Sequence, residues 1–336
     1  MHATSRRQFL RQLGTGFPAA CGLSSMLQAD DKPLTKATIT SGQLLATLRD
    51  NTGSPTDLSG IDSLFHRTDA PNFDAFDPDT RGASAGLNFE HIISGHATEH
   101  NAFSPRKGKF AMRQSPDGNS VSLVRDPADD PWAMSSTLQF TVAAPHYIDV
   151  DFRCVPLDAR RFGARGYAIL FFANYMNDVD AIGINFRGME RAGQPESWIS
   201  ADAPPGHRDW NQGGTYRHVD AKTLEYDASH NFKLNTWSYE EPRFSLPFYY
   251  GRAAHGMTLI QMFNKSHSDV DEIRFSLFKF KVARFPRPAW DFQYVIRNIQ
   301  SDREYGFKAR LVWKKFISPD DCLHEYESWA AKIRSD

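Results

Sequence analysis

PHYIDVDFRCV (145–155), RGYAILFFANYM (165–176) and DAIGINFR (180–187) follow one another in the middle of the chain. The first alternates, with His146, Ile148, Val150, Phe152 and Cys154 on one face and Tyr147, Asp149, Asp151 and Arg153 on the other, the pattern of a strand with one buried side. The second is an almost unbroken apolar run rich in aromatic and β-branched residues, as a strand covered on both sides requires, and belongs inside a sheet. After the turn-forming Asn177-Asp178, the third sends Ile182, Ile184 and Phe186 one way and Gly183, Asn185 and Arg187 the other.

More of the same lies on either side. GLNFEHII (86–93) begins the strands, and Pro116-Asp117-Gly118 supplies turn chemistry for a hairpin between KFAMRQ (109–114) and VSLVR (121–125). SSTLQFTV (135–142) precedes the central trio, and FSLPFYY, GMTLIQMFN, EIRFSLFKFKV, AWDFQYVIRN and YGFKARLVWKKF follow it, separated by Gly, Pro, Asn, Asp or Ser. Without long helices between them, these strands exclude repeated βαβ units and predict an all-β antiparallel sandwich. Ser318-Pro319-Asp320-Asp321 then caps a C-terminal helix over 318–334, which Leu323, Tyr326, Trp329 and Ile333 pin to the sandwich. Residues 30–85 read as a polar wrapping segment with short helices near 43–49 and 61–65. Gly188 to Asn231 reads as a long irregular loop of the kind that carries function. Residues 86–336 form one domain, with no repeat and no linker to divide it.

Ser5-Arg6-Arg7-Gln8-Phe9-Leu10 resembles the twin-arginine export signal and leads into an apolar region from Leu13 to Leu27 that has no acidic residue. Cleavage after Ala29 is expected, lipidation of Cys21 being the second option. The protein would then be exported through the twin-arginine translocase to the periplasm or beyond. Losing Arg6, Arg7 and Arg11 leaves 36 basic against 40 acidic residues, a balance with no footprint for nucleic acid or an anionic membrane. No apolar run of about 20 residues follows, so no membrane span is expected. Cys154 and Cys322 read as buried free thiols.

This succession of aromatic-rich antiparallel strands on an exported chain resembles the concanavalin A-like lectin and glucanase sandwiches over residues 86 to 316. The Glu-x-Asp-x-Glu signature of the bacterial glucanases is absent. The resemblance implies a jelly-roll sandwich whose curved sheet binds an extended glycan on its concave face.

Candidate chemistry is spread over several places. Asp149 and Asp151 share one strand face about 6–7 Å apart, near what paired glycosidase carboxylates require, although Arg153 beside them equally makes an ordinary solvated face. Tyr249 and His255 form an alternative acid–base pair for elimination on uronic acids. Asn174, Tyr175, Asn185, Arg187, Trp198, His207, Trp210 and Arg252 offer aromatic platforms, hydrogen bonders and guanidinium clamps for sugars, or simply cover sandwich edges. His96-Ala-Thr-Glu99-His100, with His91 upstream, matches an inverted zinc-peptidase pattern, but an all-β setting is wrong for that family. Phosphate loops, dinucleotide fingerprints and nucleophile elbows are missing, and no cofactor is called for. The sequence thus predicts a polysaccharide hydrolase or lyase, with a lectin-like binding protein and a metal-dependent hydrolase as alternatives.

Overall fold

The computed structural model describes residues 34–51, 58–76, 85–97, 102–202, 212–230, 240–281 and 286–335, so the export signal, His207, Trp210, Glu99 and His100 lie outside the described residues. The first strands are β1 (Lys36–Ser41), β2 (Leu44–Arg49), β3 (Gly60–His66), β4 (Ala70–Asp74) and β5 (Asn88–Ile93). After a short helix α1 (Ser104–Lys107) come β6 (Ala111–Gln114), β7 (Ser120–Arg125), β8 (Met134–Ala143), β9 (Tyr147–Pro156), β10 (Ala168–Ala173), β11 (Val179–Met189), β12 (Ser197–Ala201) and β13 (Gln212–Tyr216). The chain continues through β14 (Arg243–Phe244), β15 (Phe248–Ala253), β16 (Met257–Phe263), β17 (Asp271–Lys281), β18 (Pro286–Ile296) and β19 (Tyr305–Lys315) to helix α2 (Pro319–Ser335). Among the described residues the strands make three antiparallel sheets: β1-β2-β3-β4; β13-β17-β18-β10-β5; and a large sheet β12-β11-β15-β16-β19-β9-β8-β7-β6, with β14 added to β11.

The five-stranded and large sheets face each other across a phenylalanine core. Phe89, Phe172 and Phe292 stack along the smaller sheet, with centroids 4.9 Å apart in both steps. Phe152, Phe263 and Phe307 of the large sheet meet them edge-on, at 5.1 Å for Phe152–Phe172 and 4.7 Å for Phe263–Phe292. Edge-to-face contacts of this kind suit the ring quadrupoles and add to the area buried. The alternation expected for β9 holds, since Ile148, Val150, Phe152 and Cys154 are all buried on this side.

β10 lies inside a sheet as expected, between β18 and β5 of the five-stranded one, while its sequence neighbours β9 and β11 belong to the large sheet. Local sequence shows that β10 is covered on both faces but not which strands flank it. Three expectations are corrected. The wrapping segment is itself a sheet, and the helices expected near 43–49 and 61–65 are strands β2 and β3. Leu44, Leu45 and Leu48 imitate helical spacing, but Leu44, Ala46 and Leu48 are the buried set, at period two. Gly42 turns β1 into β2 with φ +54°, and a Cβ there would lie 2.5 Å from the Pro145 carbonyl, so the turn is closed to other residues. The third correction concerns the region from Gly188 to Asn231, which contributes β12 and β13 as edge strands.

The C-terminal helix forms as expected. Ser318 Oγ accepts from the Asp321 amide at 3.1 Å, and Trp329 and Cys322 pack with Leu323, Tyr326 and Ile333 on the outer side of the large sheet. Cys154 and Cys322 are both free and buried. Burial raises both thiols, Cys322 to about 12, so neither is a reactive thiolate.

Candidate active site on the five-stranded sheet

On the side of the five-stranded sheet away from the phenylalanine core, alternation places Asp291 and Gln293 of β18, Arg274 and Ser276 of β17, and Phe171 and Ala173 of β10. Arg274 pairs across with Gln293, which pairs with Phe171, which pairs with His91, so one row of side chains runs over four strands. β5 carries a bulge where Phe171 faces His91 and Phe172 faces Phe89, leaving Glu90 as the extra residue. Phe89 points into the core, while Glu90 and His91 both emerge on the outer face. A bulge re-aims a side chain in this way, here setting an acid beside an imidazole.

Glu90 is 2% exposed and heavily partnered. The Tyr175 hydroxyl donates to both its oxygens, at 2.7 and 2.9 Å, Arg106 of α1 pairs with Oε1, and His91 Nε2 lies 3.4 Å from Oε2. Burial alone would raise this carboxyl, but His91, Arg106 and the Tyr175 hydroxyl outweigh it and bring the pKa to about 2. Helix α1 is held in place from behind, since buried Arg125 donates to the Ser104 carbonyl at 3.0 Å. Phe103, just ahead of α1, packs edge-on against His91 at 4.3 Å. Tyr175 is buried, and burial together with Glu90's charge raises its phenol well above the ordinary range, so it stays a donor.

Asp291 behaves oppositely. It is 1% exposed and accepts from the Asn174 amide at 2.9 Å. Burial, reinforced by the charge of Glu90 and opposed by that amide, raises its pKa well above the usual carboxylate value. The two acids are thus shifted in opposite directions, on strands flanking β10 whose backbones are about 10 Å apart by strand spacing. Environments that push two carboxyls apart in pKa suit an acid and its ionised partner. Between and beside them, Phe171, Ala173, Tyr175 and Ala289 form a buried apolar cluster with Leu58 and Ala85, and Phe278 packs against it.

The residues singled out from sequence are distributed differently. Asp149 makes a two-pronged pair with Arg310, at 2.6 and 2.8 Å, on the outer side of the large sheet. Arg310 in turn stacks 4.4 Å over Tyr147. Asp151 pairs with Arg153 at 2.6 Å, so these two acids form the ion pairs of a solvated face. They do line a cleft of about 390 Å³ beside α2, with Gln139, Lys308 and Trp329. Tyr249 is buried between the sheets and its hydroxyl donates to the Trp290 carbonyl at 2.8 Å, on the core side and apart from the row of side chains on the outer face. His255 sits exposed in a turn at φ +59°, its ring 4.7 Å from that of Phe73. Asn174 is structural, bonding the Leu87 amide and the Trp290 carbonyl. Asn185 reaches the Tyr250 carbonyl at 3.4 Å. Arg187 pairs with Glu196 and lies over Trp198, which packs on Phe248 and Tyr250. Arg252 covers Phe316 at 4.2 Å. His96 is exposed, and among the described residues no three His, Cys, Asp or Glu side chains are grouped to hold a metal. Of the described members of the set, Tyr175, His91 and, through its backbone amide, Asn174 join the cluster on the five-stranded sheet.

Glu90, Asp291 and Arg106 were missed, although the sequence carries a signal for the two acids. Each is a lone acid inside an apolar strand, in NFEHII and AWDFQYVI, where neither face can easily be solvated.

No protein-family model and no curated protein matches the chain. Solved structures show partial likeness. The GalM/aldose epimerase homologue from C. elegans is 12% identical over 84% of this chain and 99% of its own, with a TM-score of 0.43. Heparan sulfate lyase HepC from Pedobacter heparinus is 10% identical over 82% of this chain and 34% of its own, at 0.38. A bacterial glucoamylase complexed with acarbose is 7% identical over 90% of this chain and 35% of its own, at 0.43. At these identities and scores the likeness assigns no chemistry, which has to come from this chain's own side chains. Among the described residues no helix is long and apolar enough to cross a membrane.

Proposed function

We propose that the protein is an exported carbohydrate-active enzyme that hydrolyses a glycan at the Glu90 and Asp291 pair of its five-stranded sheet. The observation that carries this reading is the placing of two acids on strands flanking β10, Glu90 held below the ordinary carboxylate range by His91, Arg106 and Tyr175 and Asp291 raised above it by burial. Glycosidic cleavage needs one protonated and one ionised carboxyl on either side of the bond. Asp291 gives its proton to the leaving oxygen as the glycosidic C–O bond breaks. Glu90 orients the water whose oxygen bonds to the anomeric carbon and accepts the water's proton. The separation of the two strands leaves room for that water, which favours inversion. Arg106, His91 and Tyr175 hold Glu90 in place and favour its charged form. The Ser5–Leu10 motif supports export by the twin-arginine route, placing the substrate outside the cytoplasm.

The test is incubation of the purified protein with neutral, uronate-bearing and sulfated polysaccharides, reading reducing ends and ultraviolet absorbance together. Hydrolysis produces new reducing ends without unsaturated products and is lost in Glu90→Gln. Unsaturated ends would replace hydrolysis by elimination, and glycan binding without any cleavage would leave a lectin-like protein.

A further inference from the structure

Beyond Gln293 the row of side chains ends in arginines. Arg274, 1% exposed, donates from Nε to Glu272 at 2.6 Å, and Glu272, fully buried, also accepts from Arg297 at 3.0 Å. Arg217 follows Tyr216, which pairs with Phe275, so it lies beside Arg274 on the same face; its side chain is 2% exposed and reaches Glu240 at 2.6 Å. Arg274 and Arg297 thus share one buried acid, Glu272, while Arg217 shares the largely exposed Glu240 with Arg243. Arg274 Nη1 and the Nε atoms of Arg217 and Arg297 are buried without a hydrogen-bond partner. Arginines left with surplus charge and open N–H groups are costly inside a protein unless an anion completes them.

We infer that Arg274 and Arg217 form an anion subsite, which rests on the hydrolase reading above and gives its substrate class as a glycan carrying carboxylates or sulfates. Arg274 lies diagonal to Asp291 on the adjacent strand, about 7–8 Å away. About three strand spacings, roughly 14 Å, separate it from β5, so the charged group belongs to a sugar beyond the ring that is cleaved. The planar guanidinium fork matches either anion with two parallel hydrogen bonds.

Binding to the Glu90→Gln protein tests this without turnover, using oligogalacturonate for carboxylate, chondroitin sulfate oligosaccharides for sulfate, and cello-oligosaccharides as the neutral control. Calorimetry should show preference for one charged series, and Arg274→Met added to Glu90→Gln should weaken it at least tenfold while leaving neutral binding unchanged. Arg217→Met, whose partner Glu240 is on the surface, should give the same selective loss if Arg274→Met fails to fold. Equal affinity for charged and neutral series, or unchanged charged binding in a folded arginine variant, overturns the subsite. Persistent cleavage by Glu90→Gln would overturn the hydrolase assignment and leave the binding result standing.

Discussion

The molecule carries two sets of acids on strand faces turned away from its phenylalanine core, and they differ in what covers them. On the large sheet, Asp149 and Asp151 look outward, with side chains 38% and 34% exposed, each answered by one arginine. On the five-stranded sheet, Glu90 and Asp291 sit under other chain, Leu58 and Ala85 among it, at 2% and 1% exposure. Water screens the first set and leaves ordinary ion pairs. Without it the second set is driven apart, Glu90 below the ordinary carboxylate range and Asp291 above it. Alternation alone produces both arrangements, so a pair of acids at i and i+2 says little until its cover is known.

The largest expected effect separates the two faces by activity. Glu90→Gln should lower turnover by about 10²–10⁴-fold, the range of general acid–base contributions, whereas Asp149→Asn and Asp151→Asn should leave it within about threefold. Comparable losses from all three variants in a kcat measurement would dissolve the distinction.

Asp291→Asn should lower kcat by about 10²-fold or more, yet hold or increase stability. A carboxyl whose folded pKa is raised contributes stability that is present below its unfolded value, 3.8, and lost as pH rises through the folded value. The amide never ionises, so the Tm advantage of the variant over the parent should grow toward alkaline pH. A Tm deficit that is constant with pH would show that Asp291 is ionised in the folded protein.

Glu90 and Glu325 carry the opposite sign. Glu325 of α2 is bonded by Tyr147 at 2.9 Å and Lys314 at 2.8 Å, with His146 at 3.4 Å. Burial would raise it, but His146, Lys314 and Tyr147 bring it to about 2. Both acids therefore contribute stability that is full above pH 4.5 and lost between about 4.5 and 2. Glu325→Gln should cost about 1–2 kcal/mol at pH 7 and flatten that acid limb in denaturant titrations. The smallest effect belongs to the exposed ladder. Asp149→Asn should cost about 0–1 kcal/mol, most of it absent at high salt.

Much of the architecture was legible because β8, β9 and much of β7 and β19 bury one face at period two, a property of neighbouring residues. The run around Phe171–Phe172 was legible as a doubly covered strand for the same reason. Legibility failed for β2, whose leucines satisfy two periods at once, and for the site, whose parts come from β5, α1, the end of β10 and β18.

The sequence by itself determined the antiparallel all-β class, the capped C-terminal helix, the buried thiols and which residues of most strands face inward. Tertiary structure alone decided that β10 leaves its sequence neighbours for the five-stranded sheet, that a bulge turns Glu90 outward beside His91, and that Asp291 is buried two strands away. Side-chain direction is set by local backbone geometry, which a strand's own residues encode. Protonation state depends on burial and on charges 85 to 201 positions distant along the chain, as Tyr175 and Asp291 are from Glu90, and only the packed fold brings them within reach.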